Sequence, residues 1–183
     1  MLTERIANFV SGVRTGDIPR DALDKARLGM TDFLGVAVAG SREELSGLIR
    51  QYGIMMGPAA GATIIATDRK TSPEMAALIN GTMGHALDYD DMSVAPIAHP
   101  SVFLAPAILA VGESIDAPGR EVLAAYVVGY EVACCIAEPM FQSHYVQGWH
   151  STSTFGSLGA AAAVAWLLKL NPRQVTMAMG IAA

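Results

Sequence analysis

The sequence predicts an all-α domain, a multi-helix bundle with at most one short β-hairpin. Three observations predict it: apolar residues recur at helical spacing through most of the chain, prolines stand where helices would start, and only one short stretch is β-like. Leu2, Ile6, Phe9, Val10 and Val13 form the first helical stripe, which Gly16-Asp17-Ile18-Pro19 breaks and Leu23, Ala26, Met30, Phe33 and Leu34 resume. Ser41 with Glu44 reads as a capping box for a third helix that ends near Gly53. The β-like piece is Ala62-Thr63-Ile64-Ile65-Ala66-Thr67, between Gly61 and the turn-like Asp68-Arg69-Lys70. Ser72-Pro73 pairs an N-cap with a first-turn proline and opens a helix through Met75, Leu78 and Met83. Gly81 and Gly84 inside that helix each cost about 1 kcal/mol relative to Ala, which predicts a close neighbour on that face. Pro100 opens a helix over 102–114, Pro118 one over 122–136, Ser151 an Ala-rich helix, and Asn171-Pro172 a last one. That last helix reaches Gly180-Ile181-Ala182-Ala183 without a stop signal, so residues 1–183 are expected to form the incomplete N-terminal helical domain of a larger two-domain fold.

Composition excludes several function classes. A chain of 183 residues that is 52% hydrophobic can bury one sizeable core, which rules out a disordered segment. Charged residues make up 16% and the net charge is -5, so the basic footprint that nucleic acid requires is missing. The most apolar run, 156–168, falls short of the roughly 20 residues of a membrane span, and the start Met1-Leu2-Thr3-Glu4-Arg5 lacks the pattern of a secretory signal. The expected compartment is cytoplasmic, with no membrane partner. Cys134 and Cys135 are adjacent and lack CxxC spacing, which predicts buried structural thiols.

Chemistry concentrates in two places. Asn80-Gly81-Thr82-Met83-Gly84-His85-Ala86-Leu87-Asp88-Tyr89-Asp90-Asp91, followed by His99-Pro100-Ser101, sets two histidines and three carboxylates close together in otherwise apolar surroundings. His85 and Asp88, three residues apart, are expected on one helix face, and Asp90 and Asp91 read equally well as a solvated helix end. A histidine paired with an aspartate can be held in one tautomer and tuned for acid/base work near neutral pH. Metal binding is disfavoured because HxxxH-type spacing and a calcium-loop pattern are absent. The second place is Gly148-Trp149-His150-Ser151-Thr152-Ser153-Thr154, where a histidine precedes a run of hydroxyls at a helix start. With His99 before Pro100, this puts two histidines at two helix N-termini, where backbone N–H groups favour an anion such as a carboxylate. Ser151 as a hydrolytic nucleophile lacks the G-x-S-x-G context.

In these residues the chain resembles the MmgE/PrpD family, which includes 2-methylcitrate dehydratase, cis-aconitate decarboxylase and iminodisuccinate epimerase. The matching pieces are residues 80–91, His99-Pro100-Ser101, Gly129-Tyr130-Glu131, Gly148-Trp149-His150 and residues 156–162, in an order that spans most of the chain after about residue 20. The resemblance implies a homodimeric, cofactor-independent lyase acting on a small di- or tricarboxylate, with a lysine, a histidine and a tyrosine of the site and a smaller α/β domain lying beyond Ala183. It implies Asp88, His99 and His150 as catalytic residues; His85, Asp91, Ser101, Ser151 and Thr152 are the further residues expected to line the substrate. Met92 stands where the family decarboxylase carries Thr, and the loop to His99 is one residue longer, which argues against a decarboxylase of that specific type; the leading expectation is a dehydratase-like lyase acting on a substrate such as 2-methylcitrate. An epimerase on the same scaffold, and a non-catalytic helical module dimerising through Ala/Gly-rich helices, are the competing readings.

Overall fold

The structure is a computed structural model and describes residues 1–57, 61–140 and 142–183. Among the described residues there are nine α-helices and one two-stranded antiparallel sheet; eight of the helices are the predicted ones, and the four-residue helix Ser143–Val146 is additional. The helices are α1 (Leu2–Gly12), α2 (Arg20–Gly40), α3 (Glu44–Met55), α4 (Pro73–His85), α5 (Pro100–Ser114), α6 (Gly119–Ala137), α7 (Ser143–Val146), α8 (Ser151–Leu167) and α9 (Pro172–Ala182). Pro73, Pro100 and Pro172 are the first residues of α4, α5 and α9, Pro19 and Pro118 immediately precede α2 and α6, and Asn171 caps α9 in a reciprocal pair with Gln174. Ser41 behaves differently from the capping box read in the sequence. It closes α2, its hydroxyl donating to the Val38 carbonyl, and α3 instead starts after Glu43 because the chain turns at 40–42 before it can re-enter a helix.

Two apolar clusters hold the bundle together. The larger one joins α2, α4, α5, α6 and α8 around Phe33, Ile79, Met83, Leu104 and Ile108, all fully buried. The second joins α1, α6, α8 and α9 around Val10, Val128, Val132 and Val175. α6 and α8 belong to both, and they meet at small residues. A Cβ on Gly129 would lie 2.6 Å from Leu104, 2.7 Å from Ala163 and 2.7 Å from the Gly159 carbonyl, and one on Gly159 would lie 3.0 Å from the Gly129 carbonyl. The Ala/Gly faces of α6 and α8 are therefore committed to each other inside the chain. Gly40 plays the same part between α2 and α4, where a Cβ would collide with the Met83 carbonyl. Gly84 has the close neighbour its position predicts, the ring of Phe33 at 2.5 Å from a Cβ, whereas Gly81 has only ordinary contact with Pro106 at 3.4 Å.

The β-like segment is mostly turn. Only Ala62–Thr63 and Lys70–Thr71 pair, with Ala62 opposite Thr71 and Thr63 opposite Lys70. Side chains from two helices fasten this hairpin. Asn80 on α4, buried, accepts from the Ile65 N–H at 3.0 Å and donates to the Thr63 carbonyl at 2.9 Å. Glu113 on α5 accepts from the Thr63 N–H and hydroxyl at 2.6 and 2.7 Å and pairs with Lys70 at 2.7 Å, and these donors, Lys70 foremost, hold its carboxyl below the usual range.

The helical stretch 119–140 is long and apolar enough to cross a membrane by length and composition alone, but 44% of it is buried within this chain, against α5 and α8. Of the two cysteines on it, Cys134 is half-buried, with its thiol pushed up by desolvation, and Cys135 is exposed. The expectation of two buried thiols fails because consecutive helical residues point about 100° apart, so one apolar face cannot take both.

Two predictions test this packing. Gly129→Ala should lower unfolding stability by roughly 1–3 kcal/mol in urea, while Gly119→Ala, whose Cβ would meet nothing within 4 Å, should change it little. Glu113→Gln should weaken amide exchange protection at Thr63 and Lys70 while global stability moves by less than about 1 kcal/mol. Because the carboxyl of Glu113 is depressed in the folded state, its contribution is present above the ordinary carboxylate range and is lost as pH falls through the lower folded value, so the wild-type hairpin should converge on the variant in acid.

Candidate active site

α4 ends at His85, and the next residues reverse the chain. Asp88 adopts a left-handed backbone, φ 51°, which Asp tolerates better than most side chains, and its N–H closes a turn onto the His85 carbonyl at 3.1 Å. Asp88 thus leaves the helix, and does not share a helical face with His85 as their spacing predicts. The reversal carries Asp90 back beneath the helix end, where its side chain is fully buried. Asp90 Oδ1 lies 2.8 Å from His85 Nδ1, and Asp90 Oδ2 lies 3.5 Å from His99 Nδ1, which also sits 3.3 Å from the Asp90 carbonyl oxygen. The two imidazoles meet edge to face, with ring centroids 5.0 Å apart.

This geometry fixes tautomers. A carbonyl oxygen can only accept, so a hydrogen bond from His99 Nδ1 places the proton on Nδ1 and leaves the Nε2 lone pair free. Nε2 then faces Asp88, whose Oδ1 is 3.8 Å away on a side chain that is 80% exposed. The same argument applies to His85 against an ionised Asp90. Asp90 is therefore the residue that organises both rings, His85 through its carboxylate and His99 through its backbone carbonyl, while Asp88 stands at the solvent side. Nothing in the run Asp88-Tyr89-Asp90-Asp91 marks which carboxylate turns inward, because that depends on the left-handed turn at Asp88.

Asp91 serves another structure. Its Oδ1 accepts from the Ser101 N–H at 2.9 Å and its Oδ2 from the Ser101 hydroxyl at 2.7 Å, so it caps the first turn of α5. Burial pushes the Asp91 carboxyl up, against the opposing pull of the Ser101 bonds. Its own N–H donates to Asp32 on α2 at 3.2 Å. Ser101, fully buried, also bonds the Tyr126 hydroxyl at 2.7 Å, and burial raises the phenol of Tyr126. Ser101 and Asp91 satisfy each other, so the anion position at the α5 entrance is filled from within the chain. Ser93 extends the polar network through the Tyr130 hydroxyl at 2.7 Å, and its backbone pairs with Ala98.

The second constellation reaches the first through Thr152. His99 and His150 are the N-cap residues of α5 and α8, and neither side chain caps its helix. The His99 N–H donates to Thr152 Oγ1 at 3.1 Å, which ties the two helix starts together. Ser151 and Thr152 are buried, whereas His150 is exposed and lies outside the group of His85, Asp88, Asp90 and His99 that share a 4.8 Å neighbourhood. His144 supports the entrance of α8 from outside, with Nε2 2.8 Å from the Thr154 hydroxyl and its ring tilted on Phe155. A groove of about 1130 Å³ runs along α2 and α6 and is bordered by Gly29, Asp32, Tyr89, Asp91, Met92 and Tyr130. His85 and His99 do not line it. Sequence reading did not single out Asp32 or Tyr126, which sit in ordinary amphipathic helices, and it named Tyr130 only within the motif Gly129-Tyr130-Glu131.

The profile of the MmgE/PrpD N-terminal domain matches residues 4–183. A cis-aconitate decarboxylase-like protein of Aspergillus oryzae is 31% identical over 99% of this chain and 39% of its own length. The cis-aconitate decarboxylase of Aspergillus terreus is 30% identical over 99% of this chain and 38% of its own, and that of Homo sapiens 27% over 99% and 39%. This chain therefore spans about two-fifths of the length of the curated relatives it matches.

Ser101→Ala removes the hydroxyl that serves both Asp91 and Tyr126 in a buried setting. It should reduce unfolding stability by about 1–3 kcal/mol, with an unchanged denaturant slope and an altered near-ultraviolet tyrosine signal. An unchanged midpoint would remove the Asp91–Ser101 pair from the list of stabilising contacts.

Proposed function

The chain belongs to the MmgE/PrpD family, and we propose that it supplies part of the active site of a lyase that moves a proton next to a carboxylate of a small di- or tricarboxylate. The observation that carries this reading is the pair of imidazoles gathered on buried Asp90, His85 on its carboxylate and His99 on its carbonyl oxygen. With its Nδ1 proton directed at Asp90, His99 presents a free Nε2 lone pair toward solvent, the state a general base needs. When His99 takes a proton, the buried Asp90 stabilises the resulting imidazolium without leaving its place. Asp88, 3.8 Å from Nε2, stands beyond hydrogen-bond distance at the outer edge of the ring, where it would face the proton that Nε2 takes up. His150 at the start of α8 is the second acid/base group of the proposal, bound to the same unit through the Thr152 link.

The family resemblance supports this substrate class. Met92 in place of the decarboxylase threonine weighs against a decarboxylase of that type and supports dehydration, as of 2-methylcitrate, whereas the relatives named cis-aconitate decarboxylase support a second reading, decarboxylation of cis-aconitate. Both require proton transfer beside a carboxylate and share the same histidines. We further propose a cytoplasmic homodimer, in line with the family resemblance, in which a di- or tricarboxylate is the small-molecule partner.

Proton NMR in D₂O with 2-methylcitrate, citrate, cis-aconitate and iminodisuccinate, using the protein that carries this chain, separates these outcomes. Turnover with solvent deuterium at the carbon beside a carboxylate is expected, and His99→Ala and His150→Ala should each lower it by about two or more orders of magnitude. Near-normal turnover in both variants, with the fold retained by circular dichroism, would overturn the assignment.

A further inference from the structure

We propose that His85, Asp88, Asp90 and His99 form a binding site for a divalent transition-metal ion of the zinc type. Local spacing argues against a metal here, since no HxxxH pattern is present, but the left-handed turn at Asp88 achieves in space what the sequence lacks in register. Each of the four side chains offers one donor atom, two nitrogens and two carboxylate oxygens, and these atoms all lie within 4.8 Å of one another. Imidazole with carboxylate is a donor set suited to Zn²⁺, Co²⁺ or Cu²⁺ rather than to Ca²⁺ or Mg²⁺.

A second observation points into the cluster. Asp90 Oδ2 is the one buried side-chain oxygen among the described residues without a hydrogen-bond partner. A buried carboxylate oxygen left unpaired is costly, and a cation relieves that cost directly. The oxygen is aimed at the site, 3.5 Å from His99 Nδ1, while its twin is 2.8 Å from His85 Nδ1. Ligands at about 2.1 Å around a tetrahedral metal lie roughly 3.4 Å apart. With one donor atom from each residue the separations reach at most 4.8 Å, so holding an ion requires the four side chains to close in by up to about 1.4 Å. The remaining contraction falls on Asp88, the exposed member, whose side chain is free to swing inward. The rings of His85 and His99 are 37% and 23% exposed, so an ion has a path from solvent. An imidazole nitrogen that holds a metal cannot also accept a proton. On the functional reading above, occupancy would therefore silence His99, making the site inhibitory rather than catalytic.

Binding is measured without activity, so its failure is distinct from failure of the functional reading. Titration of the metal-free protein with CoCl₂ should give saturable uptake of one ion per chain with visible d–d absorption, and ZnCl₂ should displace it. The His85→Gln/His99→Gln double variant, altered at partly exposed rings, should lose affinity by about tenfold or more, as should Asp90→Asn if circular dichroism shows it folded. His144→Gln, outside the cluster, should bind as the wild type does. Absence of saturable uptake at millimolar CoCl₂, or undiminished binding in the double variant, would overturn the proposal.

Discussion

The approach of α6 to α8 is the constraint from which the rest of this structure follows. Gly129 and Gly159 bring two backbones together closely enough that a methyl group on either would meet the other helix's carbonyl. Helices so close cannot be pushed apart by side-chain size, and their relative position is set by backbone sterics. α5 packs into the space beside them, with Leu104 against Gly129 and Phe103 against Gly156. The N-termini of α5 and α8 are thereby brought side by side, and the Thr152 hydroxyl can bridge to the His99 backbone. Small residues far from any chemistry thus decide where an imidazole stands.

The loop from 86 to 99 then does its work on a rigid base. It leaves α4 through a left-handed aspartate, buries one carboxylate beneath two rings, and uses the next carboxylate to cap α5. A short backbone pairing between Ser93 and Ala98 closes it, with Ser93 tied to Tyr130 on α6. Three nearly consecutive aspartates therefore have three environments, one exposed, one buried against imidazoles and one half-buried against hydroxyls and a helix N-terminus. Environment separates their roles where residue type does not.

Much of the architecture was legible in the sequence because helix starts are written locally. Pro73, Pro100, Pro118 and Asn171-Pro172 each announced a helix that is present. Ser41 misled because a serine can end one helix as readily as begin another, and only the turn at 40–42 decides between them. The β-like run shrank to two paired residues because two side chains, Asn80 and Glu113, fix its loop more firmly than a ladder would. Within the candidate site, the cluster itself was legible in composition, but the partition of labour was not. Asp90 reads as a solvated helix end until the backbone at Asp88 turns left, and that turn is a tertiary outcome rather than a propensity.

The self-capped entrance of α5 has an electrostatic consequence. A helix start that could have welcomed an external anion is already neutralised by Asp91, and Asp32, Asp88 and Asp90 stand around the same loop. Four carboxylates against two imidazoles give this surface a negative local potential whenever the rings are neutral. Such a surface draws cations and repels a di- or tricarboxylate approaching on its own. Any productive encounter with a polyanionic substrate would need positive charge contributed by groups outside this loop, so that the imidazole pair can perform chemistry while other groups provide the attraction.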